Sequence, residues 1–330
     1  MPITDDPAPT LPPLPSAPGA HLCVLASGSS GNCSVLALRR GDITRCILID
    51  LGLSPRRTFR MLAAAGIGPH QIDGALVTHL DHDHLSAGWR THMPAHARIW
   101  LHERHARHAG TRDGDRWRVA EFEGDFHADE CVRVRPLMMA HDDLGVAAFR
   151  LDFSGDLGEC SLGFATDLGH IHAGLAGHFG GNGRTCPCED AAPSRPGAVP
   201  SNAPVDVLAI ESNYCPALQH ASARPDALKH RIMCGRGHLS NQEAVSAILQ
   251  IEPREHVVLL HLSRECNSPE IVAALHAGAD YALTITSQTR PSRWIRIGST
   301  ERSKQAAPLT SSMRHSAVVV RQQTLWSVGA

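Results

Sequence analysis

Along the chain, apolar residues gather in short runs, several of which close on a polar side chain. Such runs span 21–26, 45–50, 74–78, 98–101, 131–139, 145–153, 160–166, 205–211, 257–261 and 281–286, with one more ending at Leu38. Runs this short, bounded by Gly, Asn, Asp or Ser, have the length and punctuation of buried strands. Helix spacing marks 55–65, which Gly66 stops, and then 225–233, 241–250 and 269–277. Strands interspersed with helices predict an α/β or α+β class. No self-similar period of about 20–50 residues marks a repeat array. The polar residues that close the runs fall in loops at sheet edges, where a rigid scaffold presents its chemistry.

Three stretches break this rhythm. Residues 1–20 carry prolines at 2, 7, 9, 12, 13, 15 and 18 and predict a disordered or extended lead-in. Residues 180–204 are rich in Gly, Pro, Ser and Ala and predict a disordered surface insertion. Residues 291–330 read as an irregular C-terminal tail, which leaves 21–290 as the folded domain. Lys+Arg 31 against Asp+Glu 33 gives a formal net charge of -2. That balance excludes a globally basic nucleic-acid binder and leaves room for a local basic groove. No apolar run reaches the roughly 20 residues of a membrane span. The acidic, Pro-rich start lacks the basic and apolar regions of a signal peptide, so a cytoplasmic protein without membrane attachment is expected. The 10 cysteines include no paired C-x-x-C knuckles, so they predict small buried residues rather than a zinc ribbon.

Candidate chemistry enters at Thr78-His-Leu-Asp-His-Asp-His-Leu-Ser-Ala-Gly88, directly after a buried strand. His79, Asp81, His82, Asp83 and His84 can all bind a metal. A solvated charged loop is the plain alternative. Neutral imidazole lone pairs mixed with anionic oxygens, however, suit a borderline cation such as Zn²⁺.

This run resembles the H-x-H-x-D-H signature of metallo-β-lactamase-fold hydrolases, an α/β fold of αββα sandwich type. The resemblance puts His79 first, Asp83 and His84 last, and Asp81 where the family usually has its second His. A register slipped by one residue would make His82 the ligand instead. Further matches follow in order down the chain. Asp50 matches an acid that supports the cluster from behind, His141 the third ligand region, Asp167 an acid bridging two metals, and His261 the final His. Ser27-Gly-Ser-Ser-Gly-Asn32, Glu211-Ser-Asn213, Gly237-His-Leu-Ser-Asn241 and His261-Leu-Ser263 narrow the resemblance to the YycJ/WalJ-type subgroup, related to ribonuclease Z and the β-CASP nucleases. That subgroup usually has His where Tyr214 stands.

The resemblance implies two divalent ions, Zn²⁺ first and Mn²⁺ second. His79, Asp81 and His141 would hold one, Asp83, His84 and His261 the other, with Asp167 between them. It implies a phosphodiesterase or nuclease that attacks nucleic acid through a metal-bound hydroxide. Asp83 would also orient the water, His238 would donate a proton to the leaving oxygen, and Glu211 would hold the His238 ring. Lys229, Arg231, Arg236 and Arg264 are candidates for gripping a nucleic-acid backbone, or are simply solvated charges. The turn at 27–32 is either a phosphate cradle or a plain β-turn. Two other functions stay open: hydrolysis of a small ester, thioester or lactam, and a metal-binding scaffold with little catalysis.

Overall fold

The computed structural model describes residues 10–110, 115, 117–180 and 203–298. In β1 (Gly19–Ala26), β2 (Cys33–Arg40) and β3 (Ile43–Ile49), almost every residue is buried, because both faces of the sheet are covered. Alternate residues serve the two faces, as a period of two requires. Leu22, Val24, Leu36 and Leu38 join the core between the sheets, while Cys23, Leu25, Val35 and Ala37 face the outer helices. The later strands of this sheet are β4 (Ile72–Leu76), β5 (Arg98–His102) and β6 (Arg118–Phe122). The other sheet holds β7 (Phe126–Asp129), β8 (Val132–Met139), β9 (Val146–Phe153), β10 (Cys160–Ala165), β11 (Val207–Glu211), β12 (His256–Leu260) and β13 (Ala282–Ile285). A final β14 (Ile295–Arg296) returns to the first sheet.

The strand orders are β14-β1-β2-β3-β4-β5-β6 and β13-β12-β11-β10-β9-β8-β7. Both sheets follow one grammar. Antiparallel pairing runs up to β3 in the first and up to β10 in the second, and parallel pairing follows. The parallel strands need crossovers, and helices supply most of them. On the first sheet lie α1 (Pro55–Ala64), α2 (Trp89–His92) and α3 (Glu103–Ala109), which pack Met61, Leu62, Trp89 and the partly buried Ala106 against it. On the second lie α4 (Ala173–His178), α7 (Asn241–Ile251) and α8 (Pro269–Leu275), which contribute Leu175, Ile248, Ile251 and Val272. Two further helices, α5 (Pro216–Ala221) and α6 (Asp226–Met233), fill the connection between β11 and α7. The result is the αββα sandwich expected from the sequence.

Several elements escape the sequence pattern: β6, β7 and β14, and the short helices α2, α3, α4 and α5. The folded unit is also wider than 21–290. Leu11 is buried, Trp294 Nε1 donates to the Pro12 carbonyl, β1 already starts at Gly19, and β14 pairs with β1 to place Ile295 and Ile297 in the inter-sheet core. The expected lead-in and tail are therefore ordered over 11–20 and 291–297, because apolar side chains there reach the core. Residues 1–9, the insertion between 181 and 202, and 299–330 lie outside the described residues. Among the described cysteines, Cys23, Cys33, Cys46, Cys160, Cys215 and Cys266 are buried and unpaired, as expected of small core residues. No helix among the described residues is long and apolar enough to cross a membrane.

Candidate metal centre

One edge of the sandwich gathers the polar strand ends. After β4 the chain enters the loop 77–85, pinned by Asn32 N–H to Asp83 O at 2.7 Å and by Leu51 N–H to His84 O at 2.7 Å. Gly52 is required there, since a Cβ on it would stand 1.7 Å from Asp83 O. Three acids or imidazoles follow strand ends in the left-handed backbone region that favours glycine: Asp50 (φ 61), Asp167 (φ 51) and His261 (φ 55). Such conformations cost roughly 1–3 kcal/mol each and persist where surrounding structure over-determines them.

The side chains converge into overlapping groups whose donor atoms lie within 4.8 Å of one another. One group is His79, Asp81 and His141; another is Asp83, His84 and His261; a third is His79, His84 and Asp167. Asp167 sits centrally, with Oδ2 2.6 Å from His84 Nε2 and Oδ1 2.6 Å from His261 Nδ1. A fourth group adds Glu211 and His238 to Asp167 and His261. Glu211 is already occupied by protein donors: Leu168 N–H at 2.9 Å and Leu239 N–H at 3.3 Å on Oε2, and His238 Nδ1 at 2.7 Å on Oε1.

Imidazoles that bind metal usually donate their other nitrogen to a protein acceptor, which fixes tautomer and ring angle. His84 Nδ1 donates to Asp50 Oδ2 at 2.8 Å and His141 Nδ1 to the Gly237 carbonyl at 3.2 Å. Thr78 Oγ1 gives its proton to Asp50 Oδ1 at 2.9 Å and so accepts from His79 Nδ1 at 3.0 Å. His261 Nδ1 lies between Asp167 and Glu211, and its Nε2 is buried without a hydrogen-bond partner among the described residues. Each ring thus turns Nε2 toward the centre, where that of His84 meets Asp167 and Asn32. The donor set and this orphaned nitrogen fit divalent cations of the Zn²⁺ or Mn²⁺ type.

Charge is concentrated here. Burial disfavours the charged forms, but Asp167 and Asp50 hold His84 well above the usual imidazole range, and Asp167 lifts His261 to about 9. Burial alone would lower His238, yet Glu211 and Asp167 raise it to about 10. Against its own burial, the neighbouring imidazoles His261 and His84 pull Asp167 well below the carboxylate range. His79, with burial and the His84 charge both against it, falls well below the ordinary histidine value.

All seven expected ligands meet in one place, with Asp50, Glu211 and His238 around them. Asp81 is half-exposed at 50 %, and His82 points into solvent at 93 % exposure, outside every group. Arg231 is exposed and pairs with Asp142, beside His141, at 3.2 Å. Arg236 and Arg264 are exposed. Lys229 is turned away, donating to the His220 carbonyl. Sequence reasoning missed the supporting roles of Thr78, of Asn213, which donates to the His261 carbonyl at 2.8 Å, and of the Gly237 carbonyl. The only signal for Thr78 and Asn213 was their place in the quoted motifs.

Residues 26–184 match the metallo-β-lactamase superfamily. The chain is 25 % identical over 287 residues to the exodeoxyribonuclease WalJ of Streptococcus pneumoniae serotype 2, covering 82 % of this chain and 95 % of that protein. It is 24 % identical over 261 residues to the exodeoxyribonuclease YycJ of Bacillus anthracis, covering 77 % and 86 %. The crystal structure of the metallo-β-lactamase fold protein YhfI from Bacillus subtilis superposes with a TM-score of 0.55 at 13 % identity, covering 83 % of this chain and 99 % of that one, a likeness of fold.

Proposed function

The chain carries a metallo-β-lactamase superfamily domain and is a metal-dependent hydrolase, and from that premise we propose a phosphodiesterase acting on nucleic acid, a nuclease with a two-ion centre. The observation that carries the substrate class is the extent of the likeness to the two exodeoxyribonucleases. It takes in 95 % and 86 % of their lengths rather than the His/Asp run alone. In this reading His79, Asp81 and His141 hold one ion, Asp83, His84 and His261 the other, and Asp167 lies between. Bound there, the ions would supply Lewis acidity toward a phosphoryl oxygen and make a water more acidic.

The chain's own groups do the rest. Asp83, with a partly open carboxylate, orients the attacking water. Glu211 grips His238 through Nδ1, which leaves Nε2 to pass a proton to the departing oxygen. Arg231, in the last turn of α6, and Arg236 and Arg264, on loops, stand close in sequence or space to His141, Asp167 and His261, and they meet the phosphate backbone. Carboxylate in place of imidazole at 81 shifts the metal preference toward harder ions such as Mn²⁺.

The test is a substrate panel on metal-loaded protein: single- and double-stranded DNA, RNA, bis-p-nitrophenyl phosphate, a thioester and a β-lactam. Nucleic acid should be cut, and the rate at limiting substrate should fall roughly 20- to 40-fold between about 50 and 200 mM salt if three cations contact phosphates. Thioester or lactam hydrolysis with no phosphodiester cleavage would overturn the proposal.

A further inference from the structure

The turn Ser27-Gly-Ser-Ser-Gly-Asn32 between β1 and β2 supplies no candidate ligand, yet it touches both halves of one ligand group. The His261 N–H donates to Ser27 Oγ at 2.9 Å. Ser27 passes its own proton to Asn32 Oδ1 at 3.2 Å, and Gly28 N–H donates to the same oxygen at 2.7 Å. At the other end of that amide, Asn32 Nδ2 lies 3.3 Å from Asp83 O and 2.9 Å from His84 Nε2, while Asn32 N–H donates to Asp83 O at 2.7 Å. One hydrogen-bonded chain therefore runs from the His261 backbone through Ser27 and Asn32 to Asp83. It crosses from the second sheet, which presents His261, to the first-sheet loop, which presents Asp83 and His84.

The direction of this chain is fixed. A hydroxyl has a single proton, and turning the Asn32 amide over would set its NH₂ against the Gly28 N–H donor. Ser27, Asn32 and His261 are all buried, so none of these bonds is exchanged with bulk water. Asn213 holds the opposite side of His261 by donating to its carbonyl. The turn's own N–H groups at Ser27, Gly28, Gly31 and Asn32 are spent on protein acceptors, which argues for a clamp rather than a phosphate cradle.

We propose that Ser27 and Asn32 are positioning residues that set the spacing between His261 and the Asp83–His84 pair, so that these three can share one ion. The inference rests on the two-ion reading above. Its test is metal content by elemental analysis, with stepwise Zn²⁺ titration by calorimetry, on the wild-type protein, Ser27→Ala, Ser27→Thr, Asn32→Ala and Ser27→Ala/Asn32→Ala. His261→Ala identifies which binding event belongs to this ligand group.

Each alanine variant should weaken that event about 10–100-fold, the usual effect of removing a ligand's supporting partner, and leave the other event nearly unchanged. Ser27→Thr keeps the hydroxyl and should bind like wild type. The double variant should be no weaker than the worse single one, because both cuts fall on one chain. Thermal unfolding of metal-stripped protein checks the fold, and Asn32→Ala against Ser27→Thr carries the same contrast if Ser27→Ala does not fold. Unchanged affinity in the alanine variants, equal loss of both ions, or additive losses would each overturn the inference. A wild-type protein that binds a single ion would instead bring down the two-ion reading, and this inference with it.

Discussion

Asp50 and Asp167 occupy matching places in the two sheets and use the same backbone device. Each follows the strand where antiparallel pairing gives way to parallel, β3 or β10, each is buried, and each adopts a left-handed backbone. They meet on opposite sides of one ring: His84 has Asp50 2.8 Å from Nδ1 and Asp167 2.6 Å from Nε2. Asp50 gives its remaining capacity to the Thr78 backbone and hydroxyl. Asp167 turns its own toward His261 and His238. The fold thus delivers a carboxylate to the sandwich mouth from each sheet. On the two-ion reading, whether it ligates or supports depends on the face of the shared imidazole it reaches.

Five substitutions break or sharpen this contrast. Asp167→Ala should be the most damaging, lowering turnover by at least about 10³-fold and releasing both ions, because several kcal/mol of charge stabilisation depend on them. Near-normal metal content in that variant would remove Asp167 from the centre. His238→Ala should cost about 10²–10⁴-fold on a poor leaving group while both ions stay bound, and much less on p-nitrophenyl esters, which need no proton. Equal losses on the two kinds of substrate, or lost metal, would show that His238 does something else. Asp50→Ala should weaken metal affinity about 10–100-fold by freeing the His84 ring, an effect read by titration rather than rate. If Asp50→Ala matches Asp167→Ala in lost stoichiometry, the difference between the two acids collapses. The smallest change is expected of Asp81→His, which should keep two ions and shift the preferred metal toward Zn²⁺. His82→Ala should leave metal content alone, and a loss there would mean the register is off by one.

The sequence disclosed the contiguous parts best. His79 to His84 announce themselves because five of six neighbouring residues can bind a metal, and apolar runs alone were enough for most central strands. His141, Asp167 and His261 are single residues after strands, and only a family pattern marked them out. The bends that aim Asp50, Asp167 and His261 were invisible, since no glycine flags a positive φ at those positions. Partnerships such as His141 with the Gly237 carbonyl, 96 residues apart, belong to the tertiary fold and leave no local trace. The edge strands β6 and β7 were missed because only one face of each packs inward, so polar residues dilute their runs. β14 is two residues long, too short for any periodicity to register.

The bond from His261 to Ser27 spans 234 residues of chain. During synthesis at about 5–20 residues per second, the turn at Ser27 and the loop at His79 to His84 emerge roughly 10–50 s before the histidine that completes them. In that interval His141 and Asp167 follow, so the His79–Asp81–His141 group has all its members while the Asp83–His84 pair still lacks His261. On the two-ion reading, the group that needs His261 therefore stays open until β12 has docked, after the ribosome has delivered nearly all of the described domain.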